Sequence, residues 1–200
     1  MNTLIPSRPI TPCAGVRRGR LGGGGWRTVM LGLVLLVAAS SAPAKGISKE
    51  HQLKAAFLFN FTKFVEWPAD RFETTDSPIV IAVLGRNPFD GELHKLVEGR
   101  SVNGRFIHVR LIEGADEIPH AHVVYVAAGE ETRLNNSIFG EPGVLTVGES
   151  AVFAERGGVI RFTLIDGKVR FEINQASGDQ AGLKLSGQLL KLATVVRKTP

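Results

Sequence analysis

The stretch that decides the fold is Ile79–Leu84, which reads IVIAVL without a polar residue. A strand with one solvated face alternates apolar and polar side chains, whereas a strand covered on both faces carries an unbroken apolar run. His122–Ala127, which reads HVVYVA, is a second run of this kind. Strands covered on both faces are typical of parallel sheets, so the two runs predict the centre of a mostly parallel sheet.

Helical patterns lie before and between these strands. Apolar residues recur at helical spacing from Glu50 to Glu66, and Trp67-Pro68 should end this helix because proline restricts the residue before it. Helical crossovers between buried strands predict a single α/β domain with a mostly parallel or mixed sheet and helices on both faces. The other elements expected in this part are helices near Leu93–Val97, Thr132–Phe139 and Ala151–Glu155, and strands over Phe106–Arg110 and Gly143–Val147.

The C-terminal third predicts a β-hairpin. Val159–Ile165 and Lys168–Ile173 flank Asp166-Gly167, a dipeptide that tolerates the positive φ angles of a two-residue turn. Counting outward from this turn places Phe162 opposite Phe171. We expect this aromatic pair to be a core contact.

Three further expectations concern the same region. The hairpin register places Arg161 opposite Glu172, as an exposed ion pair worth at most about 1 kcal/mol. Asn174 should be a cap or turn residue before the last helix. Leucines at helical spacing predict a last helix over Ala181–Arg197.

The first 44 residues have the pattern of a secretory signal peptide. A basic, glycine-rich stretch ends at Arg27, an apolar run covers Val29–Ala39, and small residues follow up to Ala44. The apolar run is shorter than the roughly 20 residues that a membrane span needs. We therefore predict a signal peptide over residues 1–44, cleaved after Ala44, and one exported domain over residues 45–200.

The charge balance argues against a nucleic-acid partner. The chain has 24 Lys and Arg against 19 Asp and Glu, but residues 1–44 hold five of the basic residues and no acidic one. The predicted mature domain therefore carries no net charge. The single cysteine, Cys13, also lies in the leader, which excludes disulfides, cysteine-based zinc sites and thiol catalysis in the mature domain.

One loop is a candidate ligand site. Gly85, Arg86 and Asn87 follow the first buried strand, at the strand end where open α/β sheets commonly bind ligands. Arg86 together with free helix amides would suit an anion. The glycine spacing matches neither a dinucleotide-binding nor a phosphate-binding loop, and an ordinary turn with Asp90 capping the next helix remains the alternative.

No other cluster indicates catalysis or a cofactor. His120 and His122 are spaced to share one face of a strand, but no third metal ligand is evident, so we expect neither a metal nor another cofactor. Ser150, His122 and Asp166 form a triad only by arbitrary choice, because no nucleophile motif surrounds them. The sequence therefore favours a protein that is not an enzyme.

Several segments carry a resemblance to a known family. Together they resemble the YfiR-like family of periplasmic proteins, and the similarity covers nearly all of residues 49–193. The opening and closing segments are the most specific. The segments are Lys54–Pro68 (KAAFLFNFTKFVEWP), Val83–Gly85 with Pro88-Phe89, His122–Tyr125, Gly157–Ile160, Arg170–Asn174, Gly182–Ser186 and Leu189–Ala193.

The resemblance implies a periplasmic α/β domain, often a homodimer, that acts as a negative regulator. Such proteins bind the periplasmic part of an inner-membrane diguanylate cyclase and keep it inactive, which lowers cyclic di-GMP and biofilm formation. An outer-membrane lipoprotein can sequester the repressor and release the cyclase. Family members often carry a cysteine before the matching histidine; here that residue is Ala121, so control through a disulfide is excluded.

Two aromatic residues are candidates for a partner surface. Phe59 and Trp67 lie on or beside the first helix, and aromatic side chains often anchor interfaces, although the core is the commoner place for a single aromatic residue. An alternative function is that of a periplasmic small-ligand sensor serving another membrane signalling protein. Its ligand would lie near Gly85–Asn87.

Overall fold

The two apolar runs form neighbouring parallel strands in the computed structural model, which describes residues 48–134 and 138–197. The predicted leader and its cleavage after Ala44 lie outside the described residues and stay predictions. The elements in chain order are α1 (Lys49–Phe64), β1 (Val65–Glu66), β2 (Ile79–Leu84), α2 (Glu92–Val97), β3 (Ser101–Val102), β4 (Arg105–Ile112), β5 (Val123–Val126), β6 (Leu145–Gly148), α3 (Ala151–Glu155), β7 (Ile160–Ile165), β8 (Lys168–Asn174), α4 (Gln175–Gln180), β9 (Lys184–Leu185), α5 (Gly187–Leu192) and β10 (Val195–Arg197).

Eight strands form one mixed sheet in the order β10-β8-β7-β6-β5-β2-β4-β3. Pairing is parallel from β4 through β2, β5 and β6 to β7, and again between β8 and β10. The hairpins β3–β4 and β7–β8 are antiparallel, and β1 pairs with β9 as a separate antiparallel ribbon. The predicted single α/β domain with a mixed, mostly parallel sheet is confirmed.

Both faces of the central strands are covered. Ile81 and Val83 belong to the core that includes α1 and α2. Ala82 and Leu84 belong to a second core, which includes Phe153 of α3. Neighbouring residues of β2 thus enter opposite cores, which explains why this strand contains no polar position.

The first helix begins at a capped turn, close to its predicted start at Glu50. The Ser48 hydroxyl accepts a hydrogen bond from the His51 N–H at 3.3 Å, which satisfies one of the backbone donors that a helix start leaves free. The helix ends two residues before the predicted Glu66, where Val65 becomes extended and pairs with β9. Among the described residues, no helix has the length and apolarity for a membrane crossing.

Four phenylalanine rings join α1 to the C-terminal hairpin. Phe57 and Phe61 lie one turn apart on α1, and each ring centroid is within 6.0 Å of both Phe162 and Phe171. Two of the contacts are edge-to-face, the arrangement that aromatic rings favour. We call these residues the phenylalanine cluster.

The hairpin register is confirmed. Asp166 and Gly167 have φ angles of 51° and 69°, which a two-residue turn of the mirror-image type requires. Phe162 therefore lies opposite Phe171, as the turn predicts. Asn174 caps α4 as expected, since its side chain accepts a hydrogen bond from the Ser177 N–H.

The prediction of one helix over Ala181–Arg197 is wrong, because the chain forms β9, α5 and β10 there. Gly182 takes a left-handed φ of 71°, which interrupts a helix. Ser186 starts a new helix by accepting a hydrogen bond from the Leu189 N–H at 3.2 Å. The β-branched run after residue 193 then favours a strand, and Val195 pairs with β8.

Two smaller expectations also differ from the structure. The Arg161–Glu172 pair, expected to be exposed, is mostly buried, with 20% and 17% of the side chains exposed, because neighbouring strands flank the hairpin on both sides. Where a helix over Thr132–Phe139 is predicted, the described residues include a 3-10 turn at Glu131–Arg133 and an extended Leu134, not an α-helix. Residues 135–137 of that prediction lie outside the described residues.

The phenylalanine cluster should dominate the packing of α1 on the hairpin. We expect Phe61→Ala to lower the free energy of unfolding by about 3–5 kcal/mol, because it leaves a cavity at a site only 1% exposed. Phe106→Ala is the matched control: its ring is 60% exposed, so the cost should stay below about 0.5 kcal/mol. Urea unfolding measures both, and similar losses would contradict the assignment.

Candidate functional site

The carboxyl ends of the parallel strands bring one set of polar residues together. Because β2, β5 and β6 run in the same direction, Gly85, Tyr125 and Glu149 lie toward one edge of the sheet. Ligands of open α/β sheets commonly bind at this edge. Lys54 and Glu50 of α1 reach the same place, and we call Glu50, Lys54, Tyr125 and Glu149 the Lys54 cluster.

Lys54 lies at the centre of this cluster although it is only 3% exposed. Its Nζ atom lies 2.5 Å from Glu50 Oε1 and 2.9 Å from Glu149 Oε1. The Tyr125 hydroxyl donates a hydrogen bond to the same Glu149 oxygen. A buried ammonium group must be paired and hydrogen-bonded, so these contacts tie α1 to the end of β6.

The chemistry of the cluster is that of a fixed donor. Burial is the main cause that raises the pKa of Tyr125 well above its ordinary value, and the hydrogen bond to Glu149 raises it further. The phenol therefore keeps its proton and stays a hydrogen-bond donor at physiological pH. This arrangement supplies neither an activated nucleophile nor a free base.

The predicted ligand loop, Gly85, Arg86 and Asn87, lies at the same edge. Arg86 is exposed, whereas the Asn87 side chain accepts a hydrogen bond from the Phe89 N–H at 2.9 Å. The Glu130 side chain lies over Gly85, so close that a Cβ atom there would be 2.4 Å from Glu130 Cγ. A carboxylate in this position does not favour an anion, and the ligand-binding role of the loop stays a prediction.

The alternative for this loop, Asp90 as a helix cap, is wrong. Gly91 holds the cap position of α2 and offers no side chain, while Asp90 has a left-handed φ of 43°. Phe89 anchors the turn instead, since it is fully buried with its ring centroid 4.9 Å from that of Tyr125. Packing rather than capping therefore sets the shape of this loop.

Glu131 is a further buried carboxylate after β5. It is 5% exposed, and its Oε2 accepts a hydrogen bond from the Gly129 N–H at 2.8 Å. Its Oε1 has no hydrogen-bond partner among the described residues. Arg156 donates to the carbonyl oxygens of Glu131 and Leu134, both at 2.6 Å, which fixes this segment against α3.

The opposite edge, at the amino ends of β2 and β5, holds an aromatic group around His122. This histidine is 5% exposed, and its Nδ1 accepts a hydrogen bond from the Val80 N–H at 3.1 Å. Its ring stacks on Phe72 with 4.6 Å between centroids. The Trp67 indole N–H donates to the His122 carbonyl oxygen at 3.2 Å, which binds the end of α1 to the start of β5.

Two arginines hold the backbone around this aromatic group. Arg71 donates from Nη2 to the carbonyl oxygens of Pro119 and Ala121, both at 2.8 Å. Arg105 lies over the Phe72 ring, 3.7 Å from its centroid, and donates to two carbonyl oxygens of the loop before β2. Each guanidinium therefore serves as a clamp between segments that are distant in the chain.

The proposed interface residues have different surroundings. Phe59 is 5% exposed, with Lys63 Nζ 4.2 Å and Arg100 5.2 Å from its ring centroid. Trp67 is half-buried and lines a cavity of about 290 Å³ together with Arg105. The burial of Phe59 fits the core alternative, and an interface role for either residue stays a prediction.

His120 and His122, which are spaced to share one face of a strand, lie in different surroundings. His120 is exposed in the 3-10 turn before β5, whereas His122 is buried under Phe72. Among the described residues, no group of three or more potential ligands is arranged to hold a metal ion.

Sequence reasoning missed the Lys54 cluster, although two signals were available. Lys54 interrupts the buried, otherwise apolar face of α1, next to Ala55 and one turn before Leu58. Tyr125 is the only tyrosine of the chain and lies in an apolar strand, where its hydroxyl needs a partner. Neither signal identifies Glu149, because it is remote from both in sequence.

Removing both members of the Lys54–Glu149 pair should cost less than the two single removals added together. The double variant Lys54→Met/Glu149→Gln should be more stable than the sum of its single variants implies, by more than about 1 kcal/mol, because each single change leaves a buried polar group. The control is the Lys95–Glu92 pair, whose side chains are 72% and 37% exposed and whose coupling should stay below about 0.5 kcal/mol. Urea unfolding measures both cycles, and equal coupling energies would contradict the prediction.

His122 should make the fold sensitive to acid. Burial is the main cause that lowers its pKa from 6.5 to about 4, and the charge of Arg71 contributes. The unfolded chain therefore binds the proton more tightly, so stability is complete above pH 6.5 and falls as the pH drops to about 4, by at most about 3 kcal/mol. The measurement is the urea midpoint at several pH values between 7 and 4. The fall of the midpoint due to His122 should be absent in His122→Gln and unchanged in His108→Gln, which replaces an exposed histidine.

Comparison with known proteins identifies the family. The domain family DUF4154, described as YfiR/HmsC-like, matches residues 51–194. No curated protein gives a significant match. Two solved structures are similar at low identity: an ABC domain in complex with L-Trp from Streptococcus pneumonia (13% identity, TM-score 0.41) and a conserved domain protein from Vibrio cholerae O1 biovar eltor (12%, 0.42).

Each of these similarities covers 74% of this chain and 60% of the other, so the chain spans less than two thirds of the length of either structure. At these TM-scores and identities, neither structure supports a conclusion about this chain. The family match, in contrast, extends from α1 to the residue before β10. The chain therefore belongs to the YfiR/HmsC-like family.

Proposed function

We propose that the protein is a periplasmic negative regulator, which binds the periplasmic part of an inner-membrane diguanylate cyclase and lowers cyclic di-GMP. The observation that carries this proposal is the family match over residues 51–194. Negative regulation of such cyclases is the characterised role in the family that the sequence resembles. The proposal is for a binding protein without catalytic activity.

The chemistry of the described residues supports a binding role. Open α/β sheets commonly bind ligands at the carboxyl edge. In this chain the side chains of the Lys54 cluster contact one another there. Several large apolar side chains are exposed and are therefore available for contacts with another protein. These side chains are Leu53, Phe106, Leu111, Val152, Leu164, Ile165, Leu192 and Val195.

The remaining parts of the proposal concern location and assembly. Export to the periplasm is supported by the leader pattern of residues 1–44. A homodimer and an outer-membrane lipoprotein as a second partner are proposed from the resemblance of the family. No cofactor is part of the proposal.

The function is tested by measuring cyclic di-GMP in the native host. We expect deletion of the gene to raise the intracellular level, because the cyclase loses its repressor. Restoring the full gene should lower the level again, whereas a gene that starts at residue 45 with an added Met should not, because its product stays in the cytoplasm.

An unchanged level after deletion would contradict the cyclase proposal and favour the ligand-sensor alternative. That alternative has its own test in thermal unfolding with a panel of small metabolites, since a ligand at 100 times its dissociation constant stabilises a protein by about 2.7 kcal/mol. Arg86→Ala should abolish any such shift if the ligand lies at the loop over residues 85–87.

A further inference from the structure

The outer edge of β4 is an open strand edge. β2 pairs with β4 from Ile107 to Ile112, and β3 pairs only with its first two residues, Arg105 and Phe106. Among residues 48–134 and 138–197, no strand pairs with the other edge of β4 beyond Phe106. A row of backbone donors and acceptors is therefore available for one more strand.

The ladder identifies which residues face this open edge. In a parallel pair, successive residues direct their backbone groups to opposite edges of the strand. The Ile112 carbonyl oxygen accepts from the Gly85 N–H at 3.2 Å, so Ile112 faces β2, and Arg110 and His108 face the same way. The N–H and C=O groups of Ile107, Val109 and Leu111 consequently point outward. We call these three residues the β4 edge.

A groove runs beside the β4 edge. A cavity of about 410 Å³ separates α2 from β4, and Val97, Ile107 and Val109 supply its apolar lining. Apolar side chains are also exposed at both ends of the strand, since Phe106 is 60% and Leu111 is 57% exposed. Strand addition commonly combines such an open edge with pockets for alternate side chains.

Charge indicates the chemistry of the occupant. Strand β4 contains no acidic residue. Its exposed charged or titratable side chains are His108 and Arg110. Across the groove lie His94, Lys95 and Glu98, with Lys95 paired to Glu92. A strand that adds here meets basic groups along β4, which acidic side chains complement.

A second copy of this chain fits the edge poorly. Antiparallel pairing of two β4 strands about Val109 would place His108 of each copy opposite Arg110 of the other, and basic residues directly opposite each other are unfavourable. Two residue pairs further along, Ile112 of one copy would take the position beside Phe106 that Ser101 of β3 already occupies. The symmetric arrangement is thus blocked after five residues.

We propose that the β4 edge is a docking site for an extended segment of a partner protein, in which acidic residues alternate with apolar ones. The segment adds one strand to the sheet and places its apolar side chains in the groove beside α2. The inference rests on the proposed function only in assuming that the chain acts by binding another protein.

The direct test uses a defined probe and the full chain. A fluorescent seven-residue peptide of alternating Glu and Val, with blocked termini, should bind at low salt at least tenfold more tightly than the same peptide with Lys in place of Glu. Val109→Pro should weaken binding of the acidic peptide at least tenfold, because it removes an outward N–H without touching the β2 ladder. Val109→Ala is the matched control, which trims the same side chain but keeps the N–H, and should stay within threefold.

Several outcomes would overturn the proposal. These are equal binding of the acidic and basic peptides, no binding of either, and unchanged affinity in Val109→Pro. Hydrogen exchange of the free chain gives another: slow exchange of the β4 edge amides would mean that a segment of the chain outside the described residues, or a second copy, already covers them. Sedimentation separates those two, because only a second copy changes the mass with concentration.

A cellular experiment separates this inference from the proposed function. In the deletion strain, the Val109→Ala gene should restore a low cyclic di-GMP level and the Val109→Pro gene should not, with equal amounts of both proteins in the periplasm. If both restore it, the proposed function stands and the docking site is wrong. If deletion has no effect on cyclic di-GMP, the proposed function fails, and the peptide experiment still decides the inference.

Discussion

The rest of the structure depends on one constraint, which is that the central strands β2 and β5 are covered on both faces. Every side chain of β2 must be covered, so Ile81 and Val83 require α1 and α2 on one side, and Ala82 and Leu84 require α3 with its flanking segments on the other. Polar chemistry is therefore confined to the strand ends and to the sides of the sheet. This constraint determines where a functional site can lie before any particular residue is considered.

The strand ends satisfy that constraint in two different ways. At the carboxyl edge, charges that are buried by the packing of α1 neutralise one another, with Lys54 between Glu50 and Glu149. At the amino edge, uncharged His122 lies beneath Phe72, and guanidinium groups bind backbone carbonyl oxygens outside it. The carboxyl-edge groups are paired with one another, whereas His122 Nε2 and Arg71 Nε at the amino edge have no hydrogen-bond partner among the described residues. The paired groups stabilise the fold more directly than they offer a site to a ligand.

The sequence correctly predicted those features that depend on residues close together in the chain. The strand at β2 and the register of Phe162 with Phe171 follow from an apolar run and a two-residue turn, and both are correct. The prediction of a last helix is wrong because Gly182 and Ser186 divide a stretch whose leucine spacing is helical. The β-branched residues that follow pair with β8, a partner that no local pattern indicates. The Lys54 cluster was missed for the same reason: its partners meet only when α1 packs across the sheet.

The segment before β5 is held in place by hydrogen bonds and contains no cysteine. Family members often carry one at the position of Ala121, where a disulfide would fix the backbone, and here the residue is 1% exposed. Its carbonyl oxygen and that of Pro119 are instead held by Arg71, and the next residue exchanges backbone and side-chain hydrogen bonds with Val80. None of these contacts responds to redox potential. Among the described residues, the side of the sheet at β4 is where the packing leaves backbone groups open to a further strand.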